Sequence, residues 1–336
     1  MKAKISNIEY SLPKNQVSNL DLKELFPNYD FESFEKKVGI KNRFVVSEDQ
    51  TALDLAVEAC EKLFLKENKE QVDFILYCTQ SPEYFLPTTA CILQDKLGLR
   101  KNIGALDFNL GCSGFTYGLS LAGSLIATNQ AKSILLVTAE TYSKFIHPKD
   151  RTNRSIFGDA ASAILIKKSE TDDFSQFQFG TDGSGFDKLI VKNGCSRFAF
   201  NPAAEEISYG SDNVYTENHL YMNGPDVFNF TTKEIPGFVN ELLSENNLAI
   251  DDIDQFIFHQ ANAFMLDFLR KRLKIPKEKF FIDLENEGNT VSNTIPIALK
   301  KYSDQTEFNE SKKVMVVGFG VGLSWSGGIV TINNKL

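Results

Sequence analysis

The 336-residue sequence predicts an α/β fold built from two similarly ordered halves. Short apolar runs of strand length alternate with segments whose apolar residues recur at helical spacing, the pattern of layered α/β proteins. The order of these segments also recurs. In the first half VDFILYCT leads to a helix, then GALDFNLGCSG, a helix, SILLVTAE and a closing strand. In the second, DQFIFHQ leads to a helix, then FFIDLENEGNT, a helix, KVMVVGFG and a closing strand. The correspondence is of pattern and not of identity, and it points to duplication. We place the halves at residues 1–170 and 171–336.

Residues 3–10 read as the first strand, and residues 20–38 as polar helical material running into the basic VGIKNRF segment. Thr51–Leu65 carries apolar residues at helical spacing, and residues 72–79 read as a buried strand. Pro87 opens a further helix with a Gly near its end. Residues 133–140 and 161–168 are two more strands, separated by a polar loop containing Arg151 and Arg154. The Gly-, Ser- and Asp-rich stretch 171–218 is weakly patterned and connects the halves. Then follow a helix near 226–247, a strand over 253–258, the helical NAFMLDFLRKRL, the helical SNTIPIALKKY, and two strands joined through the glycine-rich GFGVG bend at 318–322.

Composition bounds the chemistry. A hydrophobic fraction of 42% and a charged fraction of 24% are those of a globular protein. The net charge of −8 argues against sequence-independent nucleic-acid binding, which needs a surplus of Lys and Arg. The N-terminal MKAKISNIEYSLP lacks the apolar stretch of a signal peptide, and no run reaches the roughly 18 apolar residues of a membrane span. A cytoplasmic protein with no membrane association is expected. Five cysteines without CxxC spacing argue against a disulfide framework and a zinc site, so no metal is expected.

One cysteine is placed for chemistry. The run Ile103–Leu110 ends in the turn Gly111-Cys112-Ser113-Gly114, and a small-residue-rich helix follows. Cys112 therefore sits at a helix N-terminus, where the macrodipole favours thiolate. A small buried core cysteine is the alternative. Of three histidines, His259 closes an apolar strand, where α/β proteins place site residues. Asn289, in EGNT, lies at the junction corresponding to Cys112; it offers an amide donor or a cap for the following helix. The GFGVG bend brings backbone N–H groups close to a substrate. It is not a GxGxxG fingerprint, and no GxSxG elbow occurs.

DFNLGCSGFTYGL, DRTNRSIFGDAASAIL, MNGPDVF, FHQAN, EGNTVSNTIPIAL and GFGVGLSWSG, in this order across nearly the whole chain, resemble the thiolase-fold condensing enzymes, and among them 3-oxoacyl-acyl-carrier-protein synthase III. The resemblance implies duplicated βαβαβαββ halves forming a five-layered α-β-α-β-α sandwich and a homodimer. It implies decarboxylative Claisen condensation of an acyl primer with malonyl-acyl carrier protein, initiating fatty acid biosynthesis through an acyl-cysteine on Cys112. His259 and Asn289 would bind the malonyl thioester carbonyl, and the N–H groups of Cys112 and Val321 the tetrahedral oxyanion.

Lys37, Leu86, Arg151, Asn262 and Phe319 match substrate-binding positions, and Arg270, Lys271 and Arg272 form the candidate carrier-docking patch. No resident cofactor is implied, coenzyme A or phosphopantetheine thioesters being substrates. Ser33 and Lys37 replace the Trp and Arg that often bracket the coenzyme A adenine, Leu86 stands where an aromatic often lines the partner's acyl pocket, and Val321 replaces a glycine. The alternatives are a related enzyme of a specialised polyketide, lipid or surface-glycan pathway using the same acyl-cysteine, and a non-catalytic chain-length partner. Thr79-Gln80-Ser81 stands where hydroxymethylglutaryl-coenzyme A synthases carry a glutamate base.

Overall fold

The computed structural model describes residues 1–210 and 212–336. The chain opens with β1 (Ala3–Ser11) and β2 (Asn15–Ser18), followed by α1 (Asn19–Leu25), α2 (Phe31–Val38) and β3 (Asn42–Val45), which pairs antiparallel with β2. The helical stretch expected over 20–38 is thus two helices. Pro27 disfavours helical geometry at Phe26, and Asp30 restarts the helix by accepting the Ser33 N–H at 3.0 Å.

Next come α3 (Ala52–Phe64), β4 (Phe74–Cys78), α4 (Thr89–Lys96), β5 (Gly104–Phe108), α5 (Gly114–Ala127), β6 (Ser133–Glu140), α6 (Arg151–Ile156) and β7 (Ala160–Lys168). Thr51 and Asp54 form a capping box at the start of α3. The segment expected to be a polar loop holds α6, because Asp150 caps the Asn153 N–H at 3.1 Å.

The connecting stretch is also more ordered than its composition suggested. It contains β8 (Gln178–Thr181), β9 (Leu189–Val191), β10 (Ile207–Tyr209), β11 (Asn213–Tyr215) and β12 (Leu220–Met222). These strands have three or four residues each, too short for a periodicity to show. The rest of the chain supplies α7 (Gly224–Glu245), β13 (Gln255–Phe258), α8 (Ala263–Arg272), α9 (Thr294–Gln305), β14 (Lys312–Gly320) and β15 (Ser324–Ile332).

Among the described residues two main sheets result, ordered β1-β7-β6-β4-β5 and β8-β15-β14-β13, beside three two-stranded ones. In each main sheet, the first three strands run antiparallel to their neighbours and the fourth is parallel to the third. The first sheet adds β5 parallel to β4, and its counterpart in the second is reduced to one parallel bridge, Phe256 to Phe280. The duplication read from the segment order is therefore visible in strand order and direction.

Three buried clusters fill the spaces between layers. α3 and α4 cover one face of the first sheet through Ile75, Tyr77, Leu135 and Val137. α5 and α9 lie between the sheets, touching Leu76 and Leu136 on one side and Ile257 and Val316 on the other. α7 and α8 cover the far face of the second sheet through Phe256, Phe258, Met315 and Val317. Alternate residues of one strand thus face different clusters, which explains why these strands read as unbroken apolar runs. Each such side chain contributes roughly 1.5–3 kcal/mol on burial. The layers are α-β-α-β-α, the five-layered thiolase arrangement.

Candidate active site

The turn between β5 and α5 holds Cys112, 5% exposed, one residue before the helix cap Ser113. β14 of the second sheet runs directly against it. A Cβ at Gly318 would lie 2.6 Å from the Cys112 carbonyl oxygen, and one at Gly320 would lie 2.8 Å from Sγ. Only residues without a side chain permit that approach. Ser113 Oγ and Ser324 Oγ, 3.0 Å apart, tie the same turn to β15.

Burial pushes the Cys112 thiol up to about 12, opposed by hydrogen bonds from the N–H of Val321 and from its own N–H. The lowered value expected for a helix N-terminus is not found, because desolvation disfavours the thiolate more than these dipoles favour it. The resting sulfur is a thiol. Two backbone donors nevertheless converge where an attacking sulfur and a carbonyl oxygen would meet.

His259 follows β13, its N–H bonded to the Val317 carbonyl at 2.8 Å. Its ring is held on two sides. Nδ1 lies 2.7 Å from Thr294 Oγ1 at the start of α9, and Phe319 of β14 packs edge-on with centroids 5.7 Å apart. Burial pushes the imidazole down to about 3, opposed by a hydrogen bond from the ring to the Val291 backbone carbonyl, so it is neutral. Asn289 is fixed by its backbone to Ile156 O and Gly158 N, at 2.9 and 3.0 Å. Its Oδ1 accepts the Val291 N–H at 2.9 Å, which turns Nδ2 toward His259 Nε2, 3.5 Å away.

The structure thus pairs His259 with Asn289 directly. It brings Cys112 beside them through Val291, which packs in one cluster with Cys112 and Val321. No hydrogen bond among the described residues joins Cys112 to His259 or Asn289.

The other expected residues are distributed around this centre. Phe319 is 2% exposed and walls the imidazole. Arg151 lies with its guanidinium 3.5 Å from the Tyr29 ring centroid. Lys37 sits 5.0 Å over the Phe264 ring. Asn262 is engaged locally, its Oδ1 capping α8 by accepting the Met265 N–H at 2.8 Å. Leu86 is 83% exposed on a loop with the exposed Tyr84 and Phe85.

Of the basic trio, Arg270 bonds Asp267 at 2.8 Å and the Ile275 carbonyl at 3.2 Å, and Lys271 bonds Asp267 at 2.7 Å. Asp267, one carboxylate, offsets one of the trio's three positive charges. Arg272 is exposed and has no ion-pair partner among the described residues.

Sequence reasoning missed two groups. Thr294 reads as an ordinary helix residue, and nothing in its surroundings marks it as the partner of His259. Glu140, the last residue of β6, is fully buried and accepts hydrogen bonds from the Gln80 N–H, Ser81 Oγ and Ser292 Oγ at 3.1–3.2 Å. Burial pushes its carboxyl up to about 8. It joins the loop after β4 to the turn carrying Asn289. A cavity of about 780 Å³ opens beyond Gln80, Tyr142, Leu189, Leu220 and Val321, mostly apolar in its lining. A Cβ at Gly111, the residue before the cysteine, would touch both Gln80 and Val321.

This architecture and motif order are shared with known proteins. Residues 106–183 match the family 3-oxoacyl-[acyl-carrier-protein] synthase III, and residues 243–332 match its C-terminal region. A beta-ketoacyl-[acyl-carrier-protein] synthase III of Clostridium perfringens is 37% identical over 333 residues, covering 98% of this chain and 99% of the relative. A crystal structure of a 3-oxoacyl-(acyl-carrier-protein) synthase III is 44% identical, with a TM-score of 0.96 over 99% of this chain and 100% of that one. A 3-oxoacyl-(acyl-carrier protein) synthase from Burkholderia xenovorans LB400 is 32% identical, with a TM-score of 0.89 over 100% of this chain and 96% of that one. The chain belongs to the 3-oxoacyl-[acyl-carrier-protein] synthase III family.

Proposed function

We propose that the protein catalyses decarboxylative condensation of an acyl primer thioester with a malonyl thioester borne on acyl carrier protein, initiating fatty acid biosynthesis as a cytoplasmic homodimer. In this reading Cys112 attacks the primer carbonyl and releases the first thiol, with the N–H groups of Cys112 and Val321 holding the oxyanion. Malonyl thioester then enters, and His259 and Asn289 hydrogen-bond its carbonyl oxygen. The bond to the carboxylate breaks, carbon dioxide leaves, and the electron pair is held as an enolate. That carbon attacks the acyl-cysteine, the sulfur departs, and a proton from solvent restores the thiol.

The observation that carries this reading is the pairing of Nδ2 of Asn289 with Nε2 of His259, 3.5 Å apart. The two nitrogens lie side by side, where one carbonyl oxygen gaining charge would take a hydrogen bond from each. Thioesters of coenzyme A or phosphopantetheine serve as substrates, and no resident cofactor takes part. Lys37, Arg151 and Asn262 line the approach in this reading, with Phe319 behind His259. Carrier docking rests on Lys271 and Arg272, since Arg270 closes its own helix. Dimerisation is supported by β5, a sheet edge with Leu106 38% exposed, and by the protruding Tyr84, Phe85 and Leu86.

The test supplies an acyl donor and malonyl carrier labelled in the free carboxylate. Labelled carbon dioxide and a 3-oxoacyl product are expected. Acyl transfer without carbon dioxide release would overturn the reading.

A further inference from the structure

The hydrogen-bond chain behind His259 has a property that the reaction outlined above does not by itself require. Thr294 Oγ1 lies 2.7 Å from His259 Nδ1 and 3.1 Å from the Val291 carbonyl oxygen. The hydroxyl has one proton and can also accept; the carbonyl can only accept. On the other side of the ring, Asn289 has its orientation fixed by the Val291 N–H, so Nδ2, which can only donate, faces Nε2. All three side chains are buried: His259 is 2%, Thr294 4% and Asn289 5% exposed.

These constraints select the resting tautomer. With the proton on Nδ1, the imidazole donates to Thr294, Thr294 donates to Val291, and the Nε2 lone pair receives Asn289. Every donor meets an acceptor. With the proton on Nε2, Thr294 must turn to donate to Nδ1, its bond to Val291 is lost, and two N–H donors oppose each other across 3.5 Å. The first arrangement is therefore the ground state of the free enzyme.

We infer that Thr294 is a positioning residue that serves both half-reactions, because its hydroxyl partners either tautomer of His259. In acylation substrate entry breaks the Asn289 contact; the freed Nε2 lone pair then takes the proton from the Cys112 thiol as sulfur attacks the primer carbonyl, and returns it to the departing thiolate sulfur. One thiol enters and one leaves. The imidazole then exchanges tautomer with water admitted as the first product departs: one proton leaves Nδ1 for water and one arrives at Nε2. Thr294 rotates from the Val291 carbonyl to donate to Nδ1, and Nε2–H is ready for the malonyl carbonyl oxygen. A main-chain N–H or a carboxylate at the same place would favour one tautomer and hinder one half-reaction.

The inference rests on the proposed condensation for its two steps but is tested first without activity. The protein has three histidines, so ¹⁵N resonances of the rings are assignable. In the free enzyme His259 is expected to show a protonated Nδ1 and an unprotonated Nε2; the reverse would overturn the inference even if condensation is intact.

The second arm uses Thr294→Val and Thr294→Ser, scored separately for acyl-cysteine formation and for carbon dioxide release per folded molecule. Valine is expected to slow both by roughly 10–100-fold, as when the partner that orients a metal-bound histidine is removed, and serine to keep most of both rates. Retention of both rates in Thr294→Val, or failure of serine to restore what valine loses, would overturn it. Should Thr294→Val fail to fold, the resonances of the unaltered protein still decide.

Discussion

Glu140 offers a test of how this site is held together. Its carboxyl, ordinarily near 4.5, is pushed up to about 8 by burial, against hydrogen bonds from Gln80, Ser81 and Ser292. A carboxyl whose value is raised on folding stabilises the folded protein when protonated. That contribution is complete below the unfolded value of 4.5 and is lost as pH rises through about 8. The interval between the two values corresponds to about 5 kcal/mol, of which about 3 kcal/mol is lost between pH 4.5 and pH 7.

Glu140→Gln keeps the shape and removes the titration. Urea unfolding of both proteins across this range gives the difference, in which other titrating groups largely cancel. The unaltered protein is expected to lose stability relative to Glu140→Gln by about 3 kcal/mol from pH 4.5 to 7, and by more up to pH 8. A difference flat to within about 0.5 kcal/mol would mean that the surrounding donors fully offset desolvation, and the argument from burial would fail.

At Gly320 an added methyl would lie 2.8 Å from the reactive sulfur. Gly320→Ala is expected to leave the fold intact at a cost of about 1–3 kcal/mol while sharply slowing acyl-cysteine formation, measured as mass gain over time. Asn289→Ala removes one of two donors to the malonyl carbonyl and should slow carbon dioxide release by roughly 10²–10³-fold while leaving acylation much less affected. Arg272→Glu should weaken binding of acyl carrier protein, more so at low salt, whereas Arg270→Glu should act chiefly on the stability of its helix by breaking the bonds to Asp267 and Ile275. Titration calorimetry at two salt concentrations, with thermal unfolding, separates the two.

The long strands and helices were legible because each carries its own signal. Residues 133–140 read as a strand and form one, since both faces are covered by helices and every residue is buried. Thr51 and Asp54 mark the start of α3 in the sequence itself. The short strands between 178 and 222 were not legible, because β8 owes its existence to pairing with β15, some 145 residues away in the chain.

The candidate site divides in the same way. Cys112, His259 and Asn289 stand in motifs that could be recognised, whereas the hydrogen bond between Thr294 and His259 joins residues 35 apart and has no local signature. The state of the sulfur was misread for a related reason. A helix N-terminus is visible in sequence, but the burial imposed by β14 of the other sheet is not.

The central claim is that Cys112 carries the acyl group. Peptide-level mass spectrometry after incubation with acyl-coenzyme A and with acyl carrier donors tests it most directly. The account predicts an acyl adduct on Cys112 of the unaltered protein and none anywhere in Cys112→Ala. An adduct that persists in Cys112→Ala, or that sits on the exposed Cys91 or Cys195, would contradict it.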